Sequence, residues 1–208
     1  MAIFNFYFTS CVLLLLTLNW RTSIGHPVRT LSPEMCANCS SLYKSLLTSI
    51  AQLRSNKELC YGIPSDRVVV GSQADTVLAC APSLPQNSGC MMQKNPPFSE
   101  SECLKNIMKD LAYYAAAFES YLETPLQNPV NTTAVLKPVQ DTIQSLRKNC
   151  SLKPNGENDS SEVNTAKIWG NESFNNRLEM CDMLRGFYVR AITINRAMGY
   201  ISSGDYKK

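Results

Sequence analysis

The lengths of the segments between its helical stretches constrain this chain more than any other feature. Four stretches carry apolar residues at three- and four-residue steps, the period of an amphipathic helix. The first runs roughly from Asn38 to Asn56, with Leu42, Leu46, Ile50 and Leu53 in one stripe. The second runs from Ser101 to Glu123, with Ser99 and Glu102 as a capping box before it and Pro125 ending it. The third covers Thr133 to Lys148, where Pro138 opens or kinks the helix. The fourth, Ser173 to Ser202, is the longest. The connectors are Lys57–Ser99, around Pro125–Thr132, and around Ser151–Asn171: long, short, long. A short loop only turns a chain back beside itself, whereas returning to the starting end of a ~30 Å helix takes about ten extended residues. The spacing therefore predicts an all-α fold, a four-helix bundle running up-up-down-down with two crossovers. No segment alternates with a two-residue period, so little strand is expected.

The first 25 residues read as a signal peptide, leaving a single domain over residues 26–208. An apolar run from Ala2 to Leu18 is followed by small residues at Ser23 and Gly25. Asn19-Trp20-Arg21 interrupts that run short of the ~20 residues an anchor needs. A secreted, extracellular chain is the consequence. Removing the leader takes Arg21, one of 20 basic residues set against 17 acidic, so the remainder stays near neutral and gives no reason to expect a nucleic-acid partner.

Cys11 leaves with the leader, and eight of the nine cysteines remain: Cys36, Cys39, Cys60, Cys80, Cys90, Cys103, Cys150 and Cys181. In an oxidising compartment these read as disulfides. Five glycosylation sequons, at Asn38, Asn131, Asn149, Asn158 and Asn171, agree with that compartment. The same features argue against an enzyme. The one histidine, His26, falls at the new N-terminus, where it cannot be held as a catalytic base or zinc ligand. Phosphate-binding glycine loops are absent, and Cys36-Ala37-Asn38-Cys39 opens a helix rather than a redox motif in a βαβ unit. No cofactor and no metal are expected.

The last helix carries a recognisable pattern, Leu184-Arg185-Gly186-Phe187-Tyr188-Val189-Arg190-Ala191-Ile192-Thr193-Ile194-Asn195-Arg196-Ala197-Met198-Gly199-Tyr200. It resembles the end of the interleukin-12 alpha subunits. Thr76-Val77-Leu78-Ala79-Cys80 with Cys90 resembles their first connector, and Cys103 followed by Asp110-Leu111 and Phe118-Glu119 resembles their second helix. The resemblance implies a helical cytokine subunit, linked by an interchain disulfide to a soluble receptor-like beta subunit, that brings cell-surface cytokine receptors together. A different receptor-like subunit, that of interleukin-35, is a second possible partner. An interleukin-23 alpha-type subunit and a secreted helical lipid carrier are the competing readings. Arg190-Ala191-Ile192-Thr193-Ile194 fits interleukin-12 better than the first of these.

Eight cysteines allow far too many pairings for spacing to choose among them. The resemblance implies Cys60–Cys181 and Cys80–Cys103, and makes Cys90 the intermolecular cysteine. It leaves Cys36 without the partner seen in the family and gives no role to Cys150. The predicted topology places the start of the first helix and the end of the third at one end, which suggests Cys39–Cys150, with Cys36 unpaired or in its place. The resemblance also places Phe174 where interleukin-12 has a receptor-touching tyrosine, with Trp169 close by. Core packing is the alternative for Phe174.

The wheel of the final helix supplies one more expectation. At about 100° per residue, Leu184, Phe187, Ala191, Ile194, Met198 and Ile201 cluster on one side, and Arg196 points away from them. Val189, Ile192, Gly199 and Tyr200 share the outer face, so the helix is apolar on both sides and each should be covered. Arg196 with Tyr200, Ile192 and Val189 is the expected partner-binding surface, and the resemblance gives the arginine the same role.

Overall fold

A computed structural model of the chain describes residues 31–60, 62–82, 98–124, 129–151, 169–170 and 172–207. The leader and Cys90 lie outside the described residues. The ordered elements are α1 (Pro33–Arg54), α2 (Lys57–Cys60), α3 (Thr76–Ala79), α4 (Glu100–Leu122), α5 (Pro129–Asn149) and α6 (Ser173–Ser203), with a 3-10 turn at Asp205–Lys207. Among the described residues there is no strand, and no helix is long and apolar enough to cross a membrane.

Helix boundaries follow local chemistry. α1 begins five residues before its predicted start because Ser32 caps it, accepting the Met35 N–H at 3.2 Å, and Pro33 fits the first turn, where its missing N–H is not needed. Ser99 caps α4 as expected and accepts from the Glu102 N–H, but the Glu102 carboxylate turns forward to accept from Asn106 Nδ2 at 3.1 Å. α5 likewise starts at a proline, Pro129, and Pro138 lies inside the helix rather than opening it. Gly204, at φ 73°, closes α6 in the left-handed conformation that glycine adopts without strain.

Five contacts fix the topology. The Leu31 N–H donates to Glu100 Oε1 at 3.4 Å, so α1 and α4 start at the same end. Cys39–Cys150 ties the start of α1 to the end of α5. Cys60–Cys181 ties the end of the first helical segment to the early part of α6. Cys80–Cys103, together with Tyr206 Oη donating to the Cys80 carbonyl at 2.5 Å, brings the end of α6 to the start of α4. The bundle therefore runs up-up-down-down. α1 and α4 each pack on both α5 and α6 and stand diagonally across from one another.

The core is the meeting of the helical stripes: Tyr43, Leu46 and Ile50 from α1, Ile107, Leu111 and Phe118 from α4, Leu136, Val139 and Ile143 from α5, and Leu184, Phe187 and Ile194 from α6. Tyr114 stacks on Phe187 with centroids 3.9 Å apart. Each such side chain contributes roughly 1.5–3 kcal/mol by leaving water.

The first connector is part of this packing. After Gly62 it runs extended across α6, and the Val69 N–H donates to the Asp182 carbonyl at 3.2 Å. Backbone meets backbone there because position 186 has no side chain: a Cβ on Gly186 would lie 2.0 Å from the Val69 carbonyl oxygen. Gly186→Ala must push the connector off the helix. The expected loss is about 2 kcal/mol, the overpacking range, with faster proteolysis between residues 62 and 75. A denaturation midpoint unchanged from wild type would show that the connector is not seated on α6.

Candidate partner-binding face

α6 is 31 residues long, and its surface divides into three strips. One strip, through Leu184, Phe187, Ala191, Ile194 and Met198, is buried in the bundle. A second, through Asp182, Gly186 and Arg190, lies under the first connector, which explains why residues of such different character are all buried. The third is open. Val189 is 47% exposed and Tyr200 45%, Arg196 is exposed, and Ile192 and Gly199 are half-buried. This is the strip expected from the wheel. Arg196 makes no hydrogen bond or ion pair with another described residue.

An aromatic cluster closes the same end of the bundle. Phe98 stacks on Tyr206 at 3.7 Å, and Tyr200 meets Tyr206 edge-on at 5.6 Å. Tyr206 also holds the Cys80 carbonyl. The two flanks of the Cys90 segment, which leaves the described residues after Pro82 and returns at Phe98, are thus anchored beside Tyr200.

Beneath the connector lies a polar cluster that the sequence reading did not identify. Asp110 is fully buried, accepts from Thr76 Oγ1 at 2.5 Å and faces Arg190 Nε at 3.5 Å. Burial pushes its carboxyl above the ordinary carboxylate range, while hydrogen bonds from Ser72 and Thr76 and the Arg190 charge pull it back. Tyr43 and Tyr114 are buried around it, and burial followed by the Asp110 charge pushes both phenols up. The legible signal was Asp110 itself, an acid set between Ile107 and Leu111 on an otherwise apolar stripe, with an arginine on the two-sided last helix to answer it.

The other predicted residues fall as follows. All three intrachain disulfides, Cys39–Cys150, Cys60–Cys181 and Cys80–Cys103, form as predicted. Cys36 stands outside them, buried, with its thiol donating to the Leu31 carbonyl at 3.7 Å. Phe174 is 53% exposed, which removes the core-packing alternative. Trp169 is half-buried instead: its indole N–H donates to Ser120 Oγ at 3.0 Å and its ring meets Tyr121 edge-on at 4.8 Å, so much of it serves to dock the chain onto α4. Asn38, Asn131 and Asn149 are exposed on α1 and α5, while Asn158 and Asn171 lie outside the described residues.

These features define a disulfide-stapled helical cytokine of the up-up-down-down type, with one open apolar strip on its last helix. Residues 5–204 match the family model of the interleukin-12 alpha subunit. Curated relatives include the interleukin-12 subunit alpha of Felis catus, 25% identical over 203 residues (85% of this chain and 87% of that protein). The human subunit is 22% identical over 203 residues (85% and 88%), and the Mus musculus subunit 28% over 151 residues (65% and 67%). The chain belongs to the interleukin-12 alpha subunit family and is a cytokine subunit that functions in a heterodimer.

Removing one member of the buried ion pair strands the other charge. Asp110→Ala should lower stability by about 3–5 kcal/mol in urea unfolding, and Asp110→Leu combined with Arg190→Met should recover most of that loss. A double variant no more stable than Asp110→Ala alone would mean that the cluster holds the connector by hydrogen bonding rather than by charge pairing.

Proposed function

We propose that this chain is secreted and pairs with the receptor-like beta subunit of interleukin-12 through the open strip of α6, with Cys90 forming the interchain disulfide, and that the heterodimer engages cell-surface cytokine receptors through a surface that includes Phe174. The observation that carries the reading is the open strip itself. Arg196 stands exposed among Val189, Ile192 and Tyr200 on a helix whose other long strips are covered by the bundle and by the first connector. A central arginine ringed by apolar contacts is the composition of an interface hot spot. A guanidinium buried there needs a carboxylate or several carbonyls opposite, so the partner should present an acidic pocket. The aromatic anchoring of the Cys90 flanks beside Tyr200 supports a covalent link at the edge of the same face. The beta subunit of interleukin-35 presents a second partner for the same surface.

With Cys90 replaced by Ser so that no covalent link masks the result, Arg196→Ala should weaken the heterodimer by about 2 kcal/mol or more, read as dissociation constant by titration calorimetry. Arg196→Lys should recover little of it, because lysine lacks the planar fork. An Arg196→Ala chain that binds as tightly as Cys90→Ser alone makes this arginine an ordinary surface charge.

Phe174→Ala tests the receptor side separately. Receptor activation should fall while heterodimer yield stays at the wild-type level. Loss of assembly with receptor activation per heterodimer unchanged would place Phe174 at the subunit interface instead.

A further inference from the structure

The Cys39–Cys150 bridge has an unusual address. Each cysteine is the middle residue of a glycosylation sequon, Asn38-Cys39-Ser40 and Asn149-Cys150-Ser151, and the bridge joins the two tripeptides. The cysteines are fully buried and both asparagines are exposed. With the bridged Cα atoms 5.8 Å apart, the asparagine Cα atoms are at most ~13 Å apart.

We infer that closure of Cys39–Cys150 and glycan transfer to Asn149 compete for the same tripeptide, so that the occupancy of Asn149 is set by the redox state in which the chain folds. This rests on the secreted reading above. A transferase must take the asparagine amide and the hydroxyl two residues later together, on a tripeptide free to enter its site. Once folded, neither sequon qualifies. Asn38 and Ser40 lie on α1, where residues two apart point about 200° from each other. Around Asn149, the Cys150 N–H is held by the Leu146 carbonyl at 2.8 Å and its sulfur is bonded to α1, so the tripeptide cannot be lifted away without opening the bridge.

Chain order then separates the two sites. Cys150 follows Cys39 by 111 residues, and at about 5–20 residues per second Asn38 has roughly 5–20 s as a substrate before its bridge partner exists. Asn149 has no such interval, because Cys39 is already waiting when it arrives. Two reactions start together there. In one, a bond forms between Asn149 Nδ2 and the sugar C1 as the C1–O bond to a lipid diphosphate carrier breaks, and the amide proton ends on the departing diphosphate. In the other, the Cys39 and Cys150 thiols give up two electrons and two protons to an oxidised dithiol-disulfide carrier of the secretory lumen. Disulfide formation takes seconds to hours, slow enough for either to come first. Asn131, in the first turn of α5 with no cysteine in its sequon, is the internal control.

The test is site occupancy by glycopeptide mass spectrometry on the full chain expressed in a secretory host. Cys39→Ser removes the bridge and leaves the Asn149 sequon intact, and Cys36→Ser is added so that this nearby thiol cannot stand in. Occupancy at Asn149 should rise about twofold or more, with Asn131 unchanged. Brief dithiothreitol treatment of cells making the wild-type chain should raise Asn149 in the same way and leave Asn38 and Asn131 where they were, which separates a redox effect from misfolding of the variant. Equal Asn149 occupancy with and without the bridge, in either arm, overturns the inference. A chain glycosylated nowhere, Asn131 included, overturns the secreted reading instead.

Discussion

The seating of the first connector on α6 is the constraint on which the rest of the structure depends. An up-up topology obliges the chain to travel from the far end of α1 back to the starting end before α4 can begin. That excursion is stable here because its backbone is hydrogen-bonded to Asp182, fits against Gly186, and delivers Thr76 and Ser72 to the Asp110–Arg190 pair. A disulfide at each end then limits what the unfolded chain can explore. Cys60–Cys181 closes a separation of 121 residues, worth about 4–5 kcal/mol in the chain-entropy account, and Cys80–Cys103 anchors the far end.

This seating decides the character of α6. A helix that packs only on a bundle needs one apolar stripe. α6 serves the bundle on one side and the connector on the next, which is why its buried residues include Asp182, Gly186 and Arg190 beside Leu184 and Phe187. The charged members are buried as pairs: Arg185 meets Asp182 at 3.0 Å, and Arg190 meets Asp110. Among the described residues Arg196 has no such answer, which separates it from Arg185 and Arg190.

Much of this was legible in the sequence because it rests on periodicity and on chain reach. The long-short-long connectors fitted the topology, the topology brought the start of the first helix to Cys150 and suggested Cys39 as its partner with Cys36 as the alternative, and the wheel of the last helix separated Arg196 from the core. The misses have local or tertiary causes. The early start of α1 turns on Ser32-Pro33, a cap ahead of the first apolar repeat. Trp169 read as a surface aromatic because its partners, Ser120 and Tyr121, are far away in sequence. The Asp110 cluster joins α4, the first connector and α6, and only the folded chain brings those three together. Gly186 read as one more residue of a motif, whereas its role is to be absent as a side chain where Val69 crosses.

The geometry at the end of α6 gives the proposed partner face a further property. Tyr200 belongs to the open strip and to the aromatic cluster that also holds Phe98 and the Cys80 carbonyl. A partner bound over Arg196 would therefore rest beside both anchored flanks of the Cys90 segment. Once non-covalent docking has placed a partner thiol there, disulfide formation becomes intramolecular, with an effective concentration in the millimolar range set by the short span. On the proposed reading the order of events would follow from this: Arg196 and its apolar neighbours would select the partner, and the covalent link would afterwards make the selection durable. The described sequons are consistent with such a division, since Asn38, Asn131 and Asn149 all sit on α1 and α5. α5 stands diagonally across the bundle from α6, so sugars on its outer side would leave the open strip clear.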